Sequence, residues 1–156
     1  RTDRLIDRER KLAELIDLLA GNLEAPEGGE SMRRFRGVLD WPVAGRVTKG
    51  FGPRLDPRYG TRVPHNGLEL ATTGGDSVRT VFGGRVLYAA PFEGYGLTAI
   101  VLHPGRVFSL YAGLRALEVA ADDVLSLGDL VGVTDDSLYF EIRVENRPED
   151  PAQWLR

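Results

Sequence analysis

The stretch Ser137–Val144, SLYFEIRV, switches between apolar and polar residues at every step. Leu138, Phe140, Ile142 and Val144 fall on one side of a period of two, and Ser137, Tyr139, Glu141 and Arg143 on the other. A strand carries its side chains alternately to opposite faces, so this one is expected to lay the first set on a core and the second on an open surface. Similar short runs precede it. Leu97–Leu102 and Val107–Tyr111 flank His103-Pro104-Gly105, and Ser77–Phe82 and Arg85–Ala89 flank Gly83-Gly84. Both arrangements are read as hairpins. Asn66–Ala71 precedes a TTGGD turn at 72–76, Val43–Thr48 is a further strand candidate, and Val124–Val133 is broken at Gly128-Asp129. Most of the 19 glycines fall between these runs. Residues 41–156 are therefore read as a mainly β domain.

The first 23 residues have a different period. Leu5, Leu12 and Leu19 are spaced by seven, and Leu15, Ile16 and Leu18 are assigned to the same face. Asp7 and Lys11, one turn apart, support a helix. Thr2 or Asp3 is a candidate cap, and Gly21 stands where a helix stop is expected. This amphipathic helix fits two roles: the end of a coiled coil, or a helix packed on its own domain. Residues 24–40 contain Pro, Gly, Ser and the cluster Arg33, Arg34 and Arg36, and are read as a linker with solvated arginines. The chain opens on Arg1, which is read as the start of a fragment.

Composition removes several functions. Twenty Lys and Arg against 23 Asp and Glu leave a net charge of −3, which gives no overall footprint for nucleic acid. With no cysteine there is neither a thiol nucleophile nor a cysteine-held metal. Gly50-Phe51-Gly52 and Gly94-Tyr95-Gly96 lack the strand–turn–helix setting and the lysine of a phosphate loop. The two histidines, His65 and His103, have no evident serine partner. His65 and Glu69, four apart on a candidate strand, are expected on one face, with Gly67 between them leaving room for an ion or ligand. A histidine and a carboxylate are two of the three protein ligands of a hydrolytic zinc, but a surface pair gives the same pattern.

Taken in order, G-x-R-x-D-P, then H-x-G-x-E-x-A at His65–Ala71, then G-x-V, G-Y-G at Gly94–Gly96, H at His103, S-L-Y-A at Ser109–Ala112, L-Y-F-E-I-R at Leu138–Arg143 and a closing D-P resemble the LytM (lysostaphin-type) zinc endopeptidase domain. The resemblance covers Trp41–Leu155. It implies a small two-sheet antiparallel domain with an open groove, preceded here by the helix. Active members hold zinc with the histidine and aspartate of H-x-x-x-D and the second histidine of H-x-H, and use two further histidines to move protons. In this chain the ligand positions carry His65, Glu69 and Tyr139, and the two proton-transfer positions carry Ser137 and Gly113. A phenol protonated at neutral pH is a poor zinc ligand, and glycine has no side chain to move a proton. The resemblance therefore implies a degenerate domain with no catalytic residues, no resident metal and no cofactor. His103 matches a family histidine outside the ligand set and is assigned a structural role.

The closing S-L-Y-F-E-I-R…P…W-L resembles the LytM domains of EnvC-type murein hydrolase activators. That resemblance implies a periplasmic protein that switches on zinc-dependent peptidoglycan (N-acetylmuramoyl-L-alanine) amidases during daughter-cell separation. A coil would tie it to an FtsE–FtsX-type membrane complex. The vacated groove would capture the amidase's inhibitory helix through His65, Asn66, Glu69, Tyr95, Gly113, Ser137, Tyr139 and Arg143. In that picture Tyr95 and Tyr139 supply apolar anchors, Arg143 pairs with an acidic residue of the captured helix, and Asn66 and Glu69 form the opposite wall. The N-terminal helix is then either a spacer or an inhibitor folded back into the groove. A domain that grips peptidoglycan itself and a zinc endopeptidase with atypical ligands are the alternatives.

Overall fold

A computed structural model describes residues 2–25, 29–55, 58, 60 and 62–156. Helix α1 covers Thr2–Ala20 and is followed by eleven strands. These are β1 (Arg46–Lys49), β2 (Arg54–Leu55), β3 (Arg62–Val63), β4 (Leu68–Ala71), β5 (Ser77–Arg79), β6 (Gly84–Phe92), β7 (Gly96–His103), β8 (Val107–Leu117), β9 (Val124–Leu125), β10 (Leu130–Val144) and β11 (Arg147–Glu149). They make two antiparallel sheets of very unequal size. The large one runs β1-β4-β10-β8-β7-β6-β9, with β5 and β11 also pairing β10, and the small one is the β2–β3 ribbon.

Period-two alternation on β7, β8 and β10 creates two cores, one on each face of the large sheet. Val101, Val107, Tyr111, Leu138, Phe140 and Ile142 point to the first, which Leu68, Leu70, Met32 and Trp154 complete. Ile100, Leu102, Phe108, Leu110 and Ala112 point to the second. The second is closed by α1, whose Leu12, Ile16 and Ala20 are buried on it. Burying Leu12 and Ile16 contributes roughly 1.5–3 kcal/mol each. The heptad spacing thus describes a helix packed on its own domain. Leu18 does not share the packed face as its spacing suggests: it is 80% exposed. Asp7 does pair with Lys11 at 3.3 Å, and Gly21 ends the helix at φ +46°. The side chains of Thr2 and Asp3, the cap candidates, lie outside the described residues.

The helix also changes the character of the SLYFEIRV strand. Leu138, Phe140 and Ile142 are fully buried as expected, but Glu141 and Arg143, assigned above to an open surface, are buried too. The physical reason is that α1 lies over that face and makes it a second interior.

The hairpin at His103–Gly105 forms, with His103 paired to Val107. The one at Gly83-Gly84 does not: β5 pairs β10, and β6 pairs β7 and β9. The long β10 strand, bent between Thr134 and Tyr139, offers β5 a better partner than the glycine turn does. Residues 29–40 run along the body, with a 3₁₀ turn at Met32–Phe35 that buries Met32 and with Leu39 buried beyond it. Arg33 reaches Glu145 at 3.2 Å, and Arg36 reaches Glu149 at 2.8 Å while stacking over Trp154.

His103 is fully buried, its Nδ1 2.8 Å from the Gly83 carbonyl and its Nε2 2.7 Å from the Ser109 hydroxyl. Nδ1 donates to the carbonyl, so Nε2 accepts from Ser109, which in turn accepts from the Tyr111 hydroxyl at 2.8 Å. Burial pulls the imidazole down to about 4, so it stays neutral in this chain of hydrogen bonds.

Candidate functional site

Register builds the site. Lys49 pairs with Glu69, Glu69 with Tyr139, and Tyr139 with Ala112, a single row across β1, β4, β10 and β8. That row floors a half-open groove of about 460 Å³. His65, Glu69, Tyr95, Gly113, Ser137 and Tyr139 line it, together with Lys49, Arg54, Gly94 and two residues of α1, Leu5 and Arg8. Asn66 and Arg143 do not line it; α1 covers both.

His65 sits just before β4 rather than on it, and its Nδ1 is 2.6 Å from the Gly50 carbonyl. Its ring meets Tyr139 edge-on at 5.8 Å. Glu69 accepts from the Thr48 hydroxyl at 3.4 Å. Gly67 does not leave space for an ion. A Cβ there would stand 2.3 Å from the Phe140 carbonyl oxygen, so glycine is what lets the chain pass close against β10. Gly113 has φ +77° and open space beside it, which leaves that stretch of the groove without a side chain.

Tyr139 donates its hydroxyl to Glu141 at 2.5 Å, and Glu141 accepts from Arg143 Nε at 2.7 Å. Burial, reinforced by the nearby Glu141 and Glu9 carboxylates, pushes the phenol far above its ordinary value. Burial is likewise the main cause raising the Glu141 carboxyl, against the pull of Arg143. Tyr95 is raised by burial and by the same two carboxylates, and lies 5.9 Å from Tyr139, centroid to centroid. The position that would complete a metal's ligand set is thus a protonated phenol already committed to Glu141. Among the described residues no group of three His, Cys, Asp or Glu can hold a metal ion. His65 and Glu69 alone do not make the three-ligand site of a hydrolytic zinc.

One wall of the groove is supplied by α1. Glu9 of α1 accepts from Asn66 at 2.8 Å and stands 3.7 Å from Arg143 Nη2. Arg8 lies over the Tyr95 ring at 4.7 Å and donates to the Gly94 carbonyl at 3.0 Å. Farther along, Asn146 donates to the Ala13 carbonyl and to Asp17. Arg143, expected to meet an acidic residue of another protein's helix, meets one on α1. Local spacing gave no sign of Arg8, Glu9, Lys49 or Arg54, because only the sheet register and the docked helix bring them here.

Three comparisons place this geometry among known proteins. The model of peptidase family M23 matches residues 63–151, which contain the groove strands β4, β8 and β10. Murein hydrolase activator EnvC of Escherichia coli is 30% identical over 127 residues, 77% of this chain and 29% of that protein. DD-carboxypeptidase/endopeptidase Mpg of Neisseria meningitidis is 29% identical over 114 residues, 69% of this chain and 26% of that protein. The chain therefore spans less than a third of the length of these relatives. A zinc containing peptidase from Vibrio cholerae superposes with a TM-score of 0.68 at 27% identity, over 75% of this chain and 40% of that one. With the family model matched over residues 63–151, more than half of the chain and across the groove, this chain belongs to peptidase family M23.

Proposed function

We propose that this domain is a non-catalytic activator of zinc-dependent peptidoglycan amidases in the periplasm, acting in daughter-cell separation. Its vacated groove captures the regulatory helix of the amidase and so uncovers the amidase's own zinc site. The observation that carries this reading is that an amphipathic helix of the chain itself already forms one wall of the groove. Leu5 and Arg8 line it, Arg8 stacks on Tyr95, and just outside it Glu9 meets Asn66 and Arg143. A cleft that meets α1 through an apolar residue and an aromatic contact, with a carboxylate anchored alongside, is suited to another helix with the same features. α1 then acts as a regulatory element that the amidase helix replaces, and the region preceding it would connect to an FtsE–FtsX-type membrane complex.

The similarity to Mpg favours a second reading, a zinc endopeptidase. The donor chemistry weighs against it: Tyr139 is bound to Glu141, and neither Ser137 nor Gly113 can take a proton from water at neutral pH. Tyr139→Ala is expected to lower amidase activation by at least tenfold while circular dichroism and a cooperative melt show that the domain still folds. Unchanged activation by Tyr139→Ala and by Tyr95→Ala would overturn the groove assignment.

A further inference from the structure

α1 leaves one part of the groove electrostatically unanswered. Lys49 and Arg54 line the groove, Arg46 lies on the same strand as Lys49, and Arg62 lies on β3, the strand that pairs with Arg54 and Leu55. All four are exposed, and among the described residues none of their side chains has an ion pair or hydrogen-bond partner. The acids of α1 are spent elsewhere. Asp7 pairs with Arg10 and Lys11, Glu14 with Arg10, Glu9 with Asn66 and Arg143, and Asp17 with Asn146. Lys49 faces Glu69 in register, yet forms no ion pair with it. In a chain of net charge −3 these four cations form, among the described residues, a local excess of positive charge over the one groove acid, Glu69. Cations on the edge strand β1 also guard against strand-to-strand aggregation. That role accounts for Arg46 but not for Arg54, which lies on the separate β2–β3 ribbon and lines the groove.

We infer that Arg46, Lys49, Arg54 and Arg62 form an electrostatic docking rim for an acidic segment of the partner protein, adjoining the helix that enters the groove. This rests on the activator reading above. It supplies what that reading needs, a reason for a partner helix to displace α1. Both helices can offer a carboxylate at the Glu9 position, but only a partner with further acidic residues gains the rim. Exposed pairs add little to affinity one by one, so the rim acts chiefly on encounter, where a patch of one sign accelerates association by about 10- to 1000-fold.

The test is the association rate of the full chain with the zinc amidase of the same organism, measured across salt concentrations. For the wild-type chain the rate is expected to fall steeply between about 50 and 500 mM salt, where screening shortens from about 14 to about 4 Å. The variant R46E/K49E/R54E/R62E is expected to associate about 10- to 100-fold more slowly, with its salt dependence flattened or reversed and dissociation changed much less. The neutral variant R46Q/K49Q/R54Q/R62Q should fall between. A salt-independent rate shared by all three proteins overturns the rim and leaves the activator reading standing. No association by the wild type overturns both. If the variants associate normally with the amidase but lose co-sedimentation with purified sacculi, the rim reads peptidoglycan carboxylates and the inference is wrong about its partner.

Discussion

Replacing Leu12 and Ile16 with aspartate is expected to raise amidase activation by tenfold or more. Both side chains are buried at the centre of the α1 contact. Truncating one such residue costs about 2–5 kcal/mol, and an aspartate adds the cost of burying a charge beside Phe108 and Leu110. The expense falls on the docking of α1, because the sheet keeps its first core on the other face. A partner that competes with α1 binds with an apparent affinity reduced by the fraction of molecules whose groove is open, so opening the groove raises that affinity in proportion. Glu9→Gln is the milder companion. It removes the charge facing Arg143 while leaving Leu12 and Ile16 seated, and should give a smaller gain of the same sign. Amidase activation measured against activator concentration reads both. A loss of activation in both variants would make α1 part of the productive surface, and no change would make it a spacer.

The second large effect is on stability. Arg143→Ala is expected to destabilise the domain by about 3–5 kcal/mol, because it strands the fully buried Glu141 carboxylate. Glu141→Gln combined with Arg143→Met should recover most of that loss, since a neutral amide and an apolar stem replace a charge pair whose desolvation is expensive. Denaturant titration of the wild type and the two variants measures both changes. Equal stability of Arg143→Ala and wild type would mean that Glu141 is satisfied without Arg143. This burial also shapes how Arg143 is tested: loss of activation in Arg143→Ala would reflect folding as well as recognition. Tyr139, which only half belongs to the interior, is the better probe of the groove.

The strands were legible where local pattern alone sets them. Leu138, Phe140 and Ile142 declare a core face by period, and the turn at His103–Gly105 closes its hairpin without outside help. The resemblance to the LytM domain put His65, Glu69, Tyr95, Gly113, Ser137 and Tyr139 around one groove, and they line it together. Legibility ended where a distant element decides. A heptad pattern in Leu5, Leu12 and Leu19 states that a helix has an apolar face but not what that face meets. Once α1 meets the sheet, Glu141 and Arg143 change from surface residues to interior ones. Gly83-Gly84 carries a hairpin signal that β10 overrides by pairing β5. Lys49 reaches the groove only through the pairing of β1 with β4, across residues 50–67 of intervening chain, which no local spacing encodes.

The most direct test of the account is dye release from labelled peptidoglycan by three samples: this chain alone, the zinc amidase alone, and the two together. The vacated groove predicts no release by the chain alone, little by the amidase alone, and strong release by the mixture, increased further when α1 is undocked. Release by the chain alone, abolished by a chelator, would contradict it and restore a working zinc site to His65 and Glu69.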